Sequence, residues 1–389
     1  MAGVEREARD DTTAALFELV REVADAELRP RAAAAEQASR FPRDEFRTLG
    51  QAGLLSLPFA EDLGGGGQPY ETYLQVVEEL ANAWLAVGLG VSVHTLACFP
   101  VATAGTPEQQ HCWLPAMLGG DQLGAYCLSE PGSGSDAAGL RTRAAADGDE
   151  FVIDGVKAWT THAGHADFYT LFARTSGDHA GRDRSKGISC FHVPAGTPGV
   201  QAAPPEHKMG MRSSATAQVR FESARIPAGQ LIGERDHGFR LALAALDAGR
   251  LGIAACATGV AQAALDCAVS YAGQRRQFGR PVIAFQGLQF MLADMATGVA
   301  AARALYLSAA RRKDTGQPYG QQAAMAKLLA TDTAMRVTTD AVQVLGGYGY
   351  VDDFPAERFM REAKVLQIVE GTNQIQRMVI ARELAGHEG

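Results

Sequence analysis

Long uninterrupted apolar runs are missing from this sequence: no window approaches the roughly 18 consecutive apolar residues that a membrane span requires. A membrane partner is therefore not expected. Positive charge is also in short supply. A formal net charge of -8 and a pI near 5.6 argue against binding nucleic acid or an anionic membrane through bulk charge. The N-terminal run MAGVEREARDD lacks the apolar core of a secretion signal. Cysteine is sparse and scattered: Cys98, Cys112, Cys127, Cys190, Cys256 and Cys267 form no C-x-x-C pair. A disulfide framework and a thiolate zinc site are thereby disfavoured. No H-E-x-x-H array occurs, and the close pair His162 and His165 reads better as polar loop residues than as metal ligands. No metal is expected, and a cytoplasmic enzyme is the default reading.

What is present is ordinary globular composition, with 47% hydrophobic and 21% charged residues in 389, long enough for two or three cores. Thr12 to Leu28 carries Leu16, Phe17, Val20 and Val23 at helical spacing, and Pro30 is expected to close that helix. Further helices are expected over 44–55, over 70–88, and after the cap-then-proline start Thr106-Pro107-Glu108. From Leu123 to about Ile232 the texture changes to short β-rich runs punctuated by Gly, Asp and Pro, including a polar loop over 176–187. A small antiparallel β domain is the reading there. From Gly238 onward alanine-rich helices return, over 239–271, 286–312 and 321–345. The expected organisation is a helical domain over 1–122, a middle β domain over 123–236 and a helical bundle over 237–389. No β-α-β alternation appears, which disfavours a nicotinamide-type Rossmann sheet.

Several segments carry chemistry. Glu370-Gly371-Thr372 closes an apolar run, so the carboxylate sits among Leu366, Ile368, Val369 and Ile375. Poor solvation there raises its pKa and saves its basicity for a bound substrate. Gly371 permits close approach of a ligand, and Thr372 offers a hydroxyl. The run AYCLSEPGSGSD over 125–136 is a strand entering a glycine-serine loop, suited to a flavin edge or a phosphate, or else a plain turn. KAWTTH over 157–162 places an indole beside hydroxyls, either to cover an aromatic cofactor or to fill a core. Asp247 and Arg250 share a helix face, where they either pair with each other or meet a nucleotide. Arg275-Arg-Gln-Phe-Gly279, Gln286 and Gln343-Val-Leu-Gly-Gly347 are basic, amide and glycine elements suited to a pyrophosphate and adenine, or to a solvated helix end.

Together AYCLSEPGSGSD, KAWTTH, LDAGR, RRQFGRP, QVLGGYGY and VEGTNQIQR, in that order, resemble the acyl-CoA dehydrogenase family over nearly the whole chain. The resemblance implies a mainly α fold: an N-terminal helical domain, a small antiparallel β domain and a C-terminal four-helix bundle. It implies FAD as cofactor and a short- or medium-chain, possibly branched, acyl-CoA substrate, with stretches most like the short-chain, butyryl-type members of fatty-acid β-oxidation. Glu370 falls at the position of the base that removes the α-proton of a thioester. Tyr126, Leu128 and Ser129 fall where the strand meets the flavin, and Trp159 and Thr161 where the ring is covered. Thr372, Asn373 and Gln374 fall on the cofactor side of the base. Ser135, Asp247, Arg250 and Gly371 fall at substrate-contacting positions. Arg275, Phe278, Gln286, Gln343, Gly346 and Gly347 fall where a neighbouring subunit grips the adenosine diphosphate half of FAD. A homo-oligomer, typically a tetramer built as a dimer of dimers, is implied, with an electron-transfer flavoprotein as acceptor.

Two departures stand out. His162 replaces the asparagine that many members carry beside the flavin-contacting threonine. Gly249 occupies the position where one subgroup keeps its base, so Glu370 is the candidate base. The rival readings keep the scaffold and change the reaction (a flavin oxidase or monooxygenase, or a dehydrogenase of carrier-protein-linked acyl groups), or discard catalysis for a scaffold without flavin.

Overall fold

The computed structural model describes residues 4–177 and 183–386, so part of the polar loop expected over 176–187 lies outside the described residues. Helix α1 (Asp11–Val23) starts at Asp10, whose carboxylate accepts the Thr13 N–H at 2.8 Å. It does not end at Pro30. A π-helical turn over Ala24–Leu28 leads into α2 (Arg29–Ala38), and Pro30 occupies the first turn of α2, where a missing N–H costs little. After α3 (Arg43–Gln51), the segment expected as one helix over 70–88 is two: α4 (Tyr70–Ala83) and α5 (Leu85–Ala104). The break is Trp84, extended at φ -155°, whose indole N–H donates to Ser213 Oγ at 3.2 Å. Helix α6 (Pro107–Leu118) begins with a reciprocal Thr106/Gln109 capping box.

The middle of the chain forms strands β1 (Gly124–Cys127), β2 (Arg143–Asp147), β3 (Glu150–Thr161), β4 (Phe168–Arg174), β5 (Ile188–Pro194), β6 (Val200–Ala202), β7 (Thr216–Pro227) and β8 (Leu231–Ile232). They lie in the order β6-β7-β3-β2-β4-β5-β8, with β1 added to β4. The sheet is mixed: β1 and β2 both pair with β4 in parallel, and the remaining pairs are antiparallel. All seven residues of β4 are buried, because the strand is covered on both faces. Tyr169 and Leu171 face the core of the β domain, whereas Phe168 and Phe172 pack with Ala97, Val101 and Leu114 of α5 and α6. That sandwiching removes the in-out alternation a one-sided strand would show.

Helix α7 (Gly238–Gln274) is followed by a short hairpin, β9 (Arg276–Gln277) and β10 (Arg280–Pro281), then α8 (Gln286–Asp314), α9 (Gly320–Leu345), α10 (Gly347–Tyr350), α11 (Ala356–Leu366) and α12 (Asn373–Leu384). The bundle core and the N-terminal helices share one apolar cluster, so α7 is buried along its middle. For α5 and α7 this burial also explains a departure from expectation. Among the described residues, three helices (α5, α7 and α8) are long and apolar enough, by length and composition, to cross a membrane. The apolar windows of α5 and α7 are 89% and 78% buried inside the protein, whereas that of α8 is 33% buried. A helix surrounded by other helices is apolar all round. Polar cross-ties add to the packing: buried Glu78 of α4 binds Arg6 and Arg303 at 2.8 Å and Tyr306 at 2.5 Å. Burial alone would raise the Glu78 pKa, but the two guanidiniums outweigh it and hold it down to about 2.

Candidate active site

The site forms where the turn between α11 and α12 comes down on α7. Glu370 and Gly371 are consecutive left-handed residues, at φ +51° and +86°. For glutamate this conformation costs about 1 kcal/mol, so packing has to enforce it. Thr372 then caps α12, its hydroxyl accepting the Ile375 N–H at 3.3 Å. The turn aims the carboxylate inward. Both Glu370 oxygens are buried and neither has a hydrogen-bond partner among the described residues. Burial raises the Glu370 pKa to about 7, with Lys327 and Arg250 pulling against the rise. A buried, unpartnered carboxylate in the interior is costly unless a ligand completes its environment.

Gly249 makes the room. A Cβ at that position would lie 2.1 Å from Glu370 Oε2, so the carboxylate rests directly against the backbone of α7. The same glycine lines a cavity of about 230 Å³ with Tyr70, Leu96, Phe99, Ala245 and Ala248. Asp247 and Arg250 do pair with each other, at 2.5 Å, which consumes the Asp247 carboxylate as a base. Arg250 Nε remains buried without a hydrogen-bond partner among the described residues.

A second wall comes from β1 and β3. The register of β3 against β7 shifts between Lys157 and Thr160. At that bulge Trp159 adopts φ +59° and turns its ring outward, leaving it 65% exposed. It is not a core tryptophan. An uncovered indole flanked by Leu128, Ser129 and Thr161 suits the face of a planar aromatic group. Beneath it Lys157 donates to Leu128 O at 3.0 Å and to Glu130 Oε1 at 2.9 Å, and Ala158 N–H donates to Ser129 O at 2.9 Å. Glu130 also accepts the Arg141 and Thr142 N–H groups at 2.7 and 2.9 Å. This clamp fixes the strand-to-loop exit against β3.

Other residues singled out from sequence fall elsewhere. The Tyr126 hydroxyl is used on α7, donating to Ala242 O at 3.2 Å. Ser135 is exposed on the loop after β1. The Asn373 side chain points into the protein, its amide donating to Thr331 Oγ1 at 2.9 Å and to Asp332 Oδ1 at 2.7 Å, while Gln374 is exposed. His162 turns away from Thr161 into the N-terminal helices, with Nδ1 2.9 Å from Gly124 O and its ring edge-on to Phe41 and Phe46. Burial pushes its pKa down to about 3, so it is neutral. His165 stacks on Phe41 at 4.1 Å. Arg275, Phe278, Gln286, Gln343, Gly346 and Gly347 are exposed at the ends of α7, α8 and α9, with Phe278 92% exposed and Arg275 over the Tyr348 ring at 5.9 Å.

Sequence reading passed over two buried lysines. Lys157 lies in KAWTTH, but its tie to Glu130 requires the fold. Lys327, the single cation in the run AAMAKLLATD, is fully buried and donates to Gly371 O at 2.9 Å. A lone lysine on an alanine-rich helix was the available signal.

Comparison with known proteins matches this architecture over its full extent. The profiles for the acyl-CoA dehydrogenase N-terminal, middle and C-terminal domains match residues 10–121, 125–224 and 236–385. The chain is 44% identical over 378 residues to the short-chain specific acyl-CoA dehydrogenase of Bos taurus mitochondria, covering 96% of this chain and 90% of that one. Among solved structures, the butyryl-CoA dehydrogenase of Megasphaera elsdenii superposes with a TM-score of 0.94 at 38% identity, covering 98% of this chain and 100% of that chain. A chain from the structure of the electron transferring flavoprotein of Acidaminococcus fermentans gives 0.94 at 40% identity, covering 98% and 99%. With three matching domains in order and this identity across the chain, the protein belongs to the acyl-CoA dehydrogenase family.

Proposed function

We propose that the chain carries out FAD-dependent α,β-dehydrogenation of a short-chain acyl-CoA thioester, with Glu370 removing the α-proton. The observation that carries this reading is the unpartnered Glu370 carboxylate lying on Gly249 beside the cavity. A base needs reach, room and a pKa near the working pH, and a carboxyl raised to about 7 in a dry site has the last of these. Filling the cavity with an acyl chain excludes water, which strengthens both the basicity of Glu370 and any hydrogen bond to the thioester oxygen. The Glu370 N–H is the protein donor we assign to that oxygen as negative charge develops. Arg250, tied to Asp247 and with Nε free, contributes positive potential at the same place.

The set Leu128, Ser129, Trp159 and Thr161 fits a flavin: it offers an exposed indole to the ring and hydroxyls to its polar edge, and we assign Thr372 to the same cofactor. FAD, when bound there, supplies the acceptor for the hydride that leaves the β-carbon. The exposed set Arg275, Phe278, Gln286, Gln343, Gly346 and Gly347 serves the FAD of a neighbouring subunit, which makes the working enzyme a homo-oligomer. We assign an electron-transfer flavoprotein as the electron acceptor. The cavity, at about 230 Å³, is smaller than the roughly 300–1,000 Å³ of typical drug-sized ligand sites, which supports a short acyl group. The names of the bovine and Megasphaera relatives point the same way.

The test is Glu370→Gln. The purified variant should stay yellow with bound FAD and lose about 10²–10⁴-fold of its butyryl-CoA turnover with an artificial acceptor. Near wild-type turnover removes Glu370 from the role. A panel of acyl-CoAs of increasing length then reads the cavity directly, and turnover with oxygen in place of the artificial acceptor would mark an oxidase.

A further inference from the structure

The left-handed pair Glu370-Gly371 has to be held from outside, and the hydrogen bonds show what holds it. Gly371 O accepts from Lys327 Nζ at 2.9 Å and from Gln376 Nε2 at 2.8 Å, and Glu370 O accepts from Gln376 Nε2 at 3.3 Å. Lys327 also donates to Asn373 Oδ1 at 3.0 Å. Asn373 is fixed in turn by Thr331 and Asp332, and Asp332 also accepts from Gln367 Nε2 at 2.7 Å, so α9 grips the turn from both ends. These two partners of Lys327 are neutral oxygens, although its ammonium is fully buried. A buried cation without a compensating charge is expensive, and its field acts on whatever acid lies nearest.

We propose that Lys327 is the positioning residue of Glu370: it clamps the left-handed turn through Gly371 and Asn373, and it forms the cationic side of the cleft that keeps the carboxylate available as a base. This rests on the reading of Glu370 as the base. The groups facing Glu370 are Tyr70 and Tyr73 from α4, Tyr126 from β1, Arg250 and Cys256 from α7, and Lys327 from α9. Burial raises the three phenols and the thiol, so they stay neutral at working pH. Charge therefore reaches Glu370 from Lys327 and Arg250, and Arg250 is shared with Asp247. Burial also lowers the Lys327 pKa to about 8, against the opposing pull of Glu370 and Asp332, so its charge titrates within an accessible range.

The experiment compares wild-type holoenzyme with Lys327→Met, Lys327→Arg, Glu370→Gln and the Lys327→Met/Glu370→Gln double variant. In Lys327→Met the acidic limb of kcat/KM on butyryl-CoA should move up by about half a pH unit or more, with turnover falling at least about tenfold. Lys327→Arg should restore the acidic limb and carry the alkaline limb to higher pH, because a guanidinium does not titrate there. A second readout needs no turnover: thermal unfolding near pH 8, where Glu370→Gln should raise Tm more in the Lys327→Met background than in wild type. Superimposable pH profiles together with additive Tm changes overturn the proposal and leave Lys327 a structural residue. Should Lys327→Met fail to fold, the alkaline limb of Lys327→Arg decides, and an unmoved limb overturns the proposal. Turnover by Glu370→Gln is a separate result that removes the base itself.

Discussion

Glu362 and Glu370 lie eight positions apart and share the marks of a perturbed acid, yet we assign a site to only one of them. Both have two buried oxygens without hydrogen-bond partners among the described residues, and burial raises both to about 7. Glu362 lies inside α11 in regular helix, 1% exposed, with Arg358 at 3.7 Å and Glu36 adding to the rise. Glu370 stands on a left-handed turn against a glycine that lines a cavity. Perturbation of an acid follows from burial alone. Reactivity requires in addition an open space for a reactant and a backbone that presents the group to it.

The sharpest break of this comparison is between the two Gln variants. Glu370→Gln should abolish most turnover, as above, whereas Glu362→Gln should leave kcat/KM within about twofold of wild type, because nothing ties it to the cavity. A large loss in Glu362→Gln, with FAD and Tm unchanged, would erase the distinction. Next in size is Gly249→Ala. Its methyl would meet Glu370 Oε2 at 2.1 Å, so either the carboxylate or α7 must move. Overpacking of this kind costs about 1–3 kcal/mol. A displaced base should lower kcat/KM at least about tenfold, since a misplacement near 1 Å is worth on the order of 10²-fold. Turnover and Tm measured on the same preparation decide it: wild-type values for both would show that the carboxylate is free to sit elsewhere.

The contrast also marks what was legible in the sequence. Glu370 could be found because a carboxylate ending an apolar run and followed by Gly-Thr is a local pattern. Glu362, in AERFMREAKV, looks like one charge among many on a solvated helix, and only packing buries it. Helices with one apolar stripe were readable, and so was the Thr106 start of α6. The two-helix break at Trp84 and the passage of Pro30 were not, because a tertiary hydrogen bond and a π-turn decide them. The parallel pairing of β1 with β4 was hidden for another reason: a strand covered on both faces carries no alternation from which to read its neighbours. Trp159 could be flagged as a residue type, but its exposure depends on a bulge whose register is set by β7. Gly249 was read as the absence of a base. Its positive role, a space filled by a carboxylate from α12's leading turn, exists in three dimensions only.

A smaller effect tests the shared half of the comparison. For a carboxyl whose folded pKa lies above its unfolded value of 4.5, the unfolded chain releases its proton first as pH rises. Stability is therefore intact below pH 4.5, declines between there and about 7, and stays lowered above. Removing either acid should then stabilise the protein near pH 8, by on the order of 1–3 kcal/mol, and stabilise it much less near pH 5. Chemical denaturation of Glu362→Gln and Glu370→Gln at the two pH values measures this. Equal gains at both would mean that lost packing or altered hydrogen bonding, rather than charge burial, sets the difference.

The smallest effect is expected at His162, another buried residue with a polar atom, Nε2, that has no hydrogen-bond partner among the described residues. By sequence it neighbours Thr161, but its ring packs edge-on to Phe41 and Phe46, at centroid distances of 5.7 and 5.3 Å, on the far side of β3 from Trp159 and Thr161. Asparagine at 162 can still donate to Gly124 O, so the loss is confined to the ring contacts, worth about 0.5–1.5 kcal/mol. His162→Asn should therefore lower stability slightly and leave both kcat and the flavin absorbance bands unchanged. A shifted flavin spectrum in that variant would mean that the histidine reaches the cofactor after all, and that an unpartnered atom can report on a site even when it points away from the cavity.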